Sequence, residues 1–187
     1  MERINLTQAN TNSALLAKVT RESGQDISAC YQCGKCTAGC LMAGAGDGGP
    51  RLVMRLLQFG LLDQVLSGKA IWLCAACGIC TVRCPREIDV AKVMESLRRM
   101  ARQTGQRPAE PAVAAFEDLF LTCVSRHGRM HELGVMVAHN IKTGRPFKDA
   151  DLGQKLFFRG KLRLLPSRVR KVAAVKQLFA RTGGGAA

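Results

Sequence analysis

Two stretches of this chain share one pattern: Cys30-Tyr31-Gln32-Cys33-Gly34-Lys35-Cys36-Thr37-Ala38-Gly39-Cys40 and Cys74-Ala75-Ala76-Cys77-Gly78-Ile79-Cys80-Thr81-Val82-Arg83-Cys84-Pro85. Each reads Cys-x2-Cys-x2-Cys-x3-Cys, the run that holds cubane iron–sulfur clusters. The chemistry needs this spacing. Three thiolates with two residues between neighbours wrap one face of the cube, and the fourth, displaced along the chain, reaches the other cluster. On that rule Cys30, Cys33, Cys36 and Cys84 ligate one [4Fe–4S] cluster, and Cys74, Cys77, Cys80 and Cys40 ligate the second.

The residues between the ligands suit the task. Gly34, Gly39 and Gly78 let backbone approach the inorganic sulfides and leave N–H groups to bond them. Pro85 blocks helix continuation after the last ligand. Lys35 and Arg83 sit inside the runs, where positive charge favours a reduced cluster; the competing reading is a solvated side chain. A pair of zinc sites and a disulfide framework are the other readings of the cysteines. Zinc usually takes two Cys-x2-Cys pairs or Cys/His mixtures. Cys123 stands outside the runs on the apolar face of a helical stretch and reads as a small core residue. His127, His131 and His139 have no ligand pattern and read as surface or packing residues.

Outward from the runs the chain reads as helical. Pro50 opens a helix with Leu52, Val53, Leu56 and Leu57 on one face, and Gly60 can close it. A second short piece runs from Leu61 through Leu66 to Gly68. Asp89 is expected to cap a helix with Val90, Val93, Met94, Leu97 and Ala101 inward, and Arg98, Arg99 and Arg102 suit its C-terminal end. Thr104 to Pro111 reads as a linker, followed by a helix over 112–126 and an apolar piece from Leu133 to Ala138. Val169, Val172, Val175 and Phe179 then predict a basic amphipathic helix before Gly183-Gly184-Gly185. No alternating strand pattern stands out. The expected organisation is an N-terminal arm or helix (1–24), a mainly α, helical dicluster ferredoxin domain (25–104) and a helical C-terminal extension with a basic tail (105–187).

Composition narrows the function. The 187 residues are 47% hydrophobic and 22% charged, a globular balance that argues against wholesale disorder. No apolar run approaches the roughly 18 residues of a membrane span. Met1-Glu2-Arg3-Ile4-Asn5 is polar and Ala14-Leu15-Leu16-Ala17 too brief for an export core, so a cytoplasmic chain with reduced thiols is expected. The net charge of +14 is concentrated in the tail: from Lys142 onward twelve Lys and Arg face two Asp. Each loaded cluster site carries about −2, which lowers the whole to about +10. A basic balance raises nucleic-acid binding, with the clusters as redox sensors. Aromatics are only 5%, however, and the single Trp72 and Tyr31 lie at the cysteine runs, so docking to acidic partner subunits is the more economical reading. At most peripheral membrane contact is expected of the tail. No catalytic constellation stands outside the cysteine runs, and the chemistry belongs on a partner.

Tyr31-Gln32, Ala70-Ile71-Trp72-Leu73 before Cys74, Arg83 through Val90, and Gly160-Lys161-Leu162-Arg163-Leu164-Leu165-Pro166 resemble the C-type iron–sulfur subunit of heterodisulfide reductase. The resemblance covers roughly 25–180 and is most specific in the second run. It implies a helical ferredoxin fold with two [4Fe–4S] clusters, relaying electrons between a flavin-containing iron–sulfur A-type subunit and a cysteine-rich B-type subunit. That B-type subunit does thiol–disulfide chemistry, so the assembly is an oxidoreductase acting on sulfur groups. The family includes methanogen enzymes and bacterial sulfur-oxidising relatives that work on a lipoate-binding protein. The Arg-, Ala- and Gly-rich composition leans toward the latter. One departure is clear: the family usually has proline after the first run, where this chain has Leu41. The alternative within the resemblance is a free-standing dicluster ferredoxin. The roughly 100 residues beyond the second run are better suited to a permanent interface.

Overall fold

The computed structural model describes residues 13–148 and 150–182, so the first half of the expected 1–24 arm, Asp149 and Gly183–Ala187 lie outside the described residues. All regular structure among the described residues is helical. No helix among them is long and apolar enough to cross a membrane. The chain divides into two compact units, between Glu110 and Pro111.

The first unit begins with α1 (Ser13–Ser23), which buries Val19 and packs on α7 (Val90–Gln103). Buried Ser23 donates to the Val19 carbonyl at 2.7 Å and accepts from Gln25 N at 3.2 Å, and Gly24, with φ 67°, ends the helix. Asp26 caps a 3-10 turn, Ile27–Ala29, by accepting from Ser28 N at 2.9 Å. The first cysteine run contains α2 (Lys35–Ala38). Then come α3 (Gly49–Gln58), with Pro50 in its first turn, and α4 (Leu62–Ser67). The short α5 (Ala70–Leu73) leads into the second run, which contains α6 (Ile79–Val82).

Apolar spacing decides which faces turn inward. Val53, Met54, Leu56 and Leu57 of α3 are buried, while Leu52 is partly exposed. On α7 the inward set is Val90, Val93, Met94, Leu97 and Ala101, with Ser96 and Met100 added. The Asp89 side chain caps α7 by accepting from Lys92 N at 3.1 Å. Helices α3, α4 and α5 meet one another, and α4 and α5 also meet α7. Trp72, Ile71, Ile27, Met54, Leu97, Met100, Val19 and Val93 are fully buried. Each such side chain stabilises the fold by roughly 1.5–3 kcal/mol relative to exposure.

The second unit comprises α8 (Pro111–His127), α9 (Glu132–Lys142), α10 (Ala150–Phe158) and α11 (Val172–Thr182). Helices α8 and α9 pack together, and α11 lies on α8. Among the described residues this unit buries only Ala114, Ala115, Val135 and Asn140. Phe116 stacks near Phe120 at 6.4 Å and meets His139 edge-on at 5.9 Å. The expected amphipathic tail helix begins at Val172, so Val169 does not belong to it. Val169 instead sits against Gly128 and donates from its N to the His127 carbonyl at 3.1 Å. Gly128 has φ 78°, and any β-carbon there would collide with Val169. Helix α10 has no counterpart among the sequence expectations. Its residues are largely exposed and Gly153 interrupts its apolar pattern, which leaves little period to read.

Candidate iron–sulfur centre

The two cysteine runs adopt the same backbone. Gln32 and Ala76, each preceding the second cysteine of its run, have φ of 63° and 51°. Gly34 and Gly78, each following that cysteine, are left-handed with φ of 80° and 75°, and each starts a four-residue helix. A residue with a β-carbon resists this conformation, so glycine is the natural occupant at 34 and 78. Helices α2 and α6 pack on one another and bring the runs together.

That packing crosses the thiols. Cys40, the last cysteine of the first run, lines one pocket with Cys74, Cys77 and Cys80 of the second. Leu41, Met42, Pro50, Ile79 and Met94 complete an apolar wall. On the other side, Tyr31 lies beside Cys33 and Cys84. Desolvation first, then the charge of those two thiols, holds its phenol above its ordinary pKa. Four sulfur donors around a water-poor pocket fit a cubane, whose iron prefers soft thiolates. Among the described residues no three His, Cys, Asp or Glu side chains gather as closely as one metal ion requires.

Burial pushes the Cys36 and Cys80 thiols up from their ordinary range. Loading a cluster displaces those protons, so assembly is linked to proton release.

The supports around the thiols come from distant residues. Thr37 Oγ1 accepts from Arg51 N at 2.9 Å, which ties the first run to the start of α3. Thr81 does the same for the second run: its hydroxyl donates to Asp89 Oδ1 at 2.7 Å and accepts from Ala91 N at 3.2 Å. Arg98 donates to the Ile71 carbonyl at 2.9 Å and the Cys74 carbonyl at 2.6 Å, clamping the entry to the second run. The Arg102 guanidinium stacks over Trp72 at 5.5 Å. Gln58 reaches the Cys30 carbonyl at 2.7 Å and Gln32 at 3.1 Å. Gly39 lies under the Arg83 side chain, so the residues preceding Cys40 and Cys84 touch. None of these partners is signalled by motif spacing.

Cys123 is half-buried rather than the core residue expected of it, and its neighbours are polar. Its sulfur accepts from His131 N at 3.2 Å and lies 3.8 Å from His127 Nδ1. Residues four apart on a helix face one another, which explains the Cys123–His127 pair. His131 caps α9 by accepting from Gly134 N at 3.2 Å, and its Nε2 lies 2.9 Å from the Arg163 carbonyl. His139 Nε2 lies 3.0 Å from the Ala112 carbonyl.

Comparison with known proteins agrees with this geometry. The family described as "4Fe-4S dicluster domain" matches residues 29–89, the span holding both runs. The cofactors are two [4Fe–4S] clusters. The C-type iron–sulfur subunit of the CoB–CoM heterodisulfide reductase of Methanopyrus kandleri is 38% identical over 42% of this chain and 41% of its own length. The C-type subunit of the H2:CoB–CoM heterodisulfide,ferredoxin reductase of Methanothermobacter thermautotrophicus is 30% identical over 59% of this chain and 60% of its own. The corresponding subunit of the ferredoxin:CoB–CoM heterodisulfide reductase of Methanosarcina mazei is 35% identical over 58% of this chain and 65% of its own. The chain thus spans between 41% and 65% of these relatives' lengths. Over residues 29–89 the chain carries a 4Fe-4S dicluster domain, and in and around that span it is similar to the C-type iron–sulfur subunits of heterodisulfide reductases.

Proposed function

We propose that this chain is the electron-relay subunit of a cytoplasmic heterodisulfide reductase-like complex. Its donor or acceptor on one side is a flavin-containing iron–sulfur A-type subunit. On the other is a cysteine-rich B-type subunit that performs thiol–disulfide or lipoate-bound sulfur chemistry. The observation that carries the reading is the joining of Cys40 with Cys74, Cys77 and Cys80 around one pocket. Cys30, Cys33, Cys36 and Cys84 would hold one cluster, and Cys74, Cys77, Cys80 and Cys40 the other. When bound, the clusters supply reversible one-electron chemistry.

The residues around them set its terms. Met42, Pro50, Ile79 and Met94 present an apolar wall to one site, and a less polar surrounding strengthens electrostatic interactions there. Arg98, Thr37 and Thr81 fix the thiol-bearing loops to the long helices, so the spacing of the two sites is held rigidly. Three large apolar side chains within two residues of the cysteines proposed as ligands face outward: Tyr31 is 59%, Leu41 78% and Val82 87% exposed. Exposed apolar groups at a redox centre suit a face that a partner covers.

The extension over 105–187 supports a permanent rather than a fleeting partner. Its own core is thin, and Ile141, Phe147, Phe158, Leu164 and Leu165 are exposed beside many Lys and Arg. An acidic partner with an apolar groove would complement that surface. Anaerobic purification of the tagged full chain is expected to bring down an A-type and a B-type protein. Truncation before Lys142 is expected to lose the B-type protein while the iron stays. Recovery of the chain alone, or thiol–disulfide turnover by it without a partner, would overturn the reading.

A further inference from the structure

We propose that Gln32 and Gln58 form a hydrogen-bonded pair that raises the reduction potential of the site built on Cys30, making it the easier of the two sites to reduce. This rests on the proposed ligation by Cys30. The geometry orients both amides without ambiguity. Gln58 Nε2 donates to the carbonyls of Ile27, at 3.3 Å, and Cys30, at 2.7 Å. Carbonyl oxygens only accept, so that end of the Gln58 amide must be the nitrogen. Its oxygen therefore faces Gln32, and it accepts from Gln32 Nε2 at 3.1 Å. The nitrogen of Gln32 is fixed in turn, and its second N–H is directed to Cys30 Sγ, 3.6 Å away. Two backbone carbonyls thus aim a proton at one ligand sulfur through two side chains.

The backbone contributes to the aim. Gln32 holds φ 63°, a conformation that side-chain-bearing residues rarely take. In the second run the matching position has φ 51° but is Ala76, preceded by Ala75, and neither side chain carries a donor. Reduction adds negative charge to the ligand sulfurs, so a donor already pointing at one of them stabilises the reduced form more than the oxidised form. The groove over this donor is open: Leu16, Ser28, Tyr31, Arg55 and Phe59 line it with Cys30, Gln32 and Gln58. The easier site is therefore also reachable from outside.

The test is an anaerobic EPR-monitored redox titration of the purified full chain with both clusters loaded. Gln32→Met keeps the length and removes the donor; Gln58→Met keeps the donor and removes its anchor. The expected result is that the reduction equilibrium of the Cys30 site falls about tenfold in Gln32→Met, near 59 mV for a one-electron couple. Gln58→Met should shift it in the same direction by less, and the other couple should hold its place. Unchanged midpoints, or equal shifts of both couples, would overturn the inference. Should Gln32→Met fail to load, the Gln58→Met titration decides alone. Cys30→Ser assigns the signals: if it removes neither, the ligation reading fails, and that outcome is distinct from failure of the tuning.

Discussion

The two cysteine runs share a backbone and differ in what hangs on it. Gln32 matches Ala76, Lys35 matches Ile79, and Gly39 matches Arg83, while Thr37 and Thr81 are the same residue in the same role. What is repeated serves coordination geometry: left-handed turns, short helices, a threonine binding the next helix. What differs sits where a side chain can reach a sulfur or the other run. Two sites of one architecture can thus be made electronically unequal without disturbing the fold.

The comparison can be broken most severely at its crossing points. Cys40→Ser and Cys84→Ser are expected each to remove one cluster's worth of iron, about four of about eight. The signal lost in Cys40→Ser should be the one also lost in Cys74→Ser, although Cys40 lies in the other run. Iron analysis with EPR on the same samples checks this. A smaller effect is expected at the threonines. Thr81→Val removes two hydrogen bonds, one to the carboxylate that caps α7. Thr37→Val removes one, to Arg51 N. Losses of about 2 kcal/mol for Thr81→Val and about 1 kcal/mol for Thr37→Val are expected. Urea unfolding followed by circular dichroism would rank them. The smallest effect belongs to Arg83, which is exposed. Arg83→Gln is expected to lower a cluster potential slightly, and added salt should erase the difference.

Much of the first unit is legible in the sequence because its signals are local. The Pro50 start, the Asp89 cap and the inward set of α7 each lie within a few turns of chain. Residues that meet across long separations give no such signal. Gln58 lies 26 residues from Gln32, and Arg98 lies 24 from Cys74. Their chemistry is ordinary; only the fold brings them to a cysteine. Val169 misleads for a related reason. Its spacing from Val172 fits a helix, but the left-handed turn at Gly128 makes a seat that no period encodes. Cys123 shares an apolar face, and its polar neighbour His131 comes from beyond the helix end.

The crossing of thiols has a topological side. Under the proposed ligation a cluster fastens Cys40 to Cys74, so residues 41–73 become a closed ring of chain. That ring contains α3, α4 and α5 and with them Met54, Ile71 and Trp72 of the core. Treated like a disulfide-closed loop, it would cost the unfolded chain about 3–4 kcal/mol of freedom. A chain that unfolds with its cofactor retained keeps these helices tethered. One that loses the cofactor gives up that restraint along with its redox chemistry.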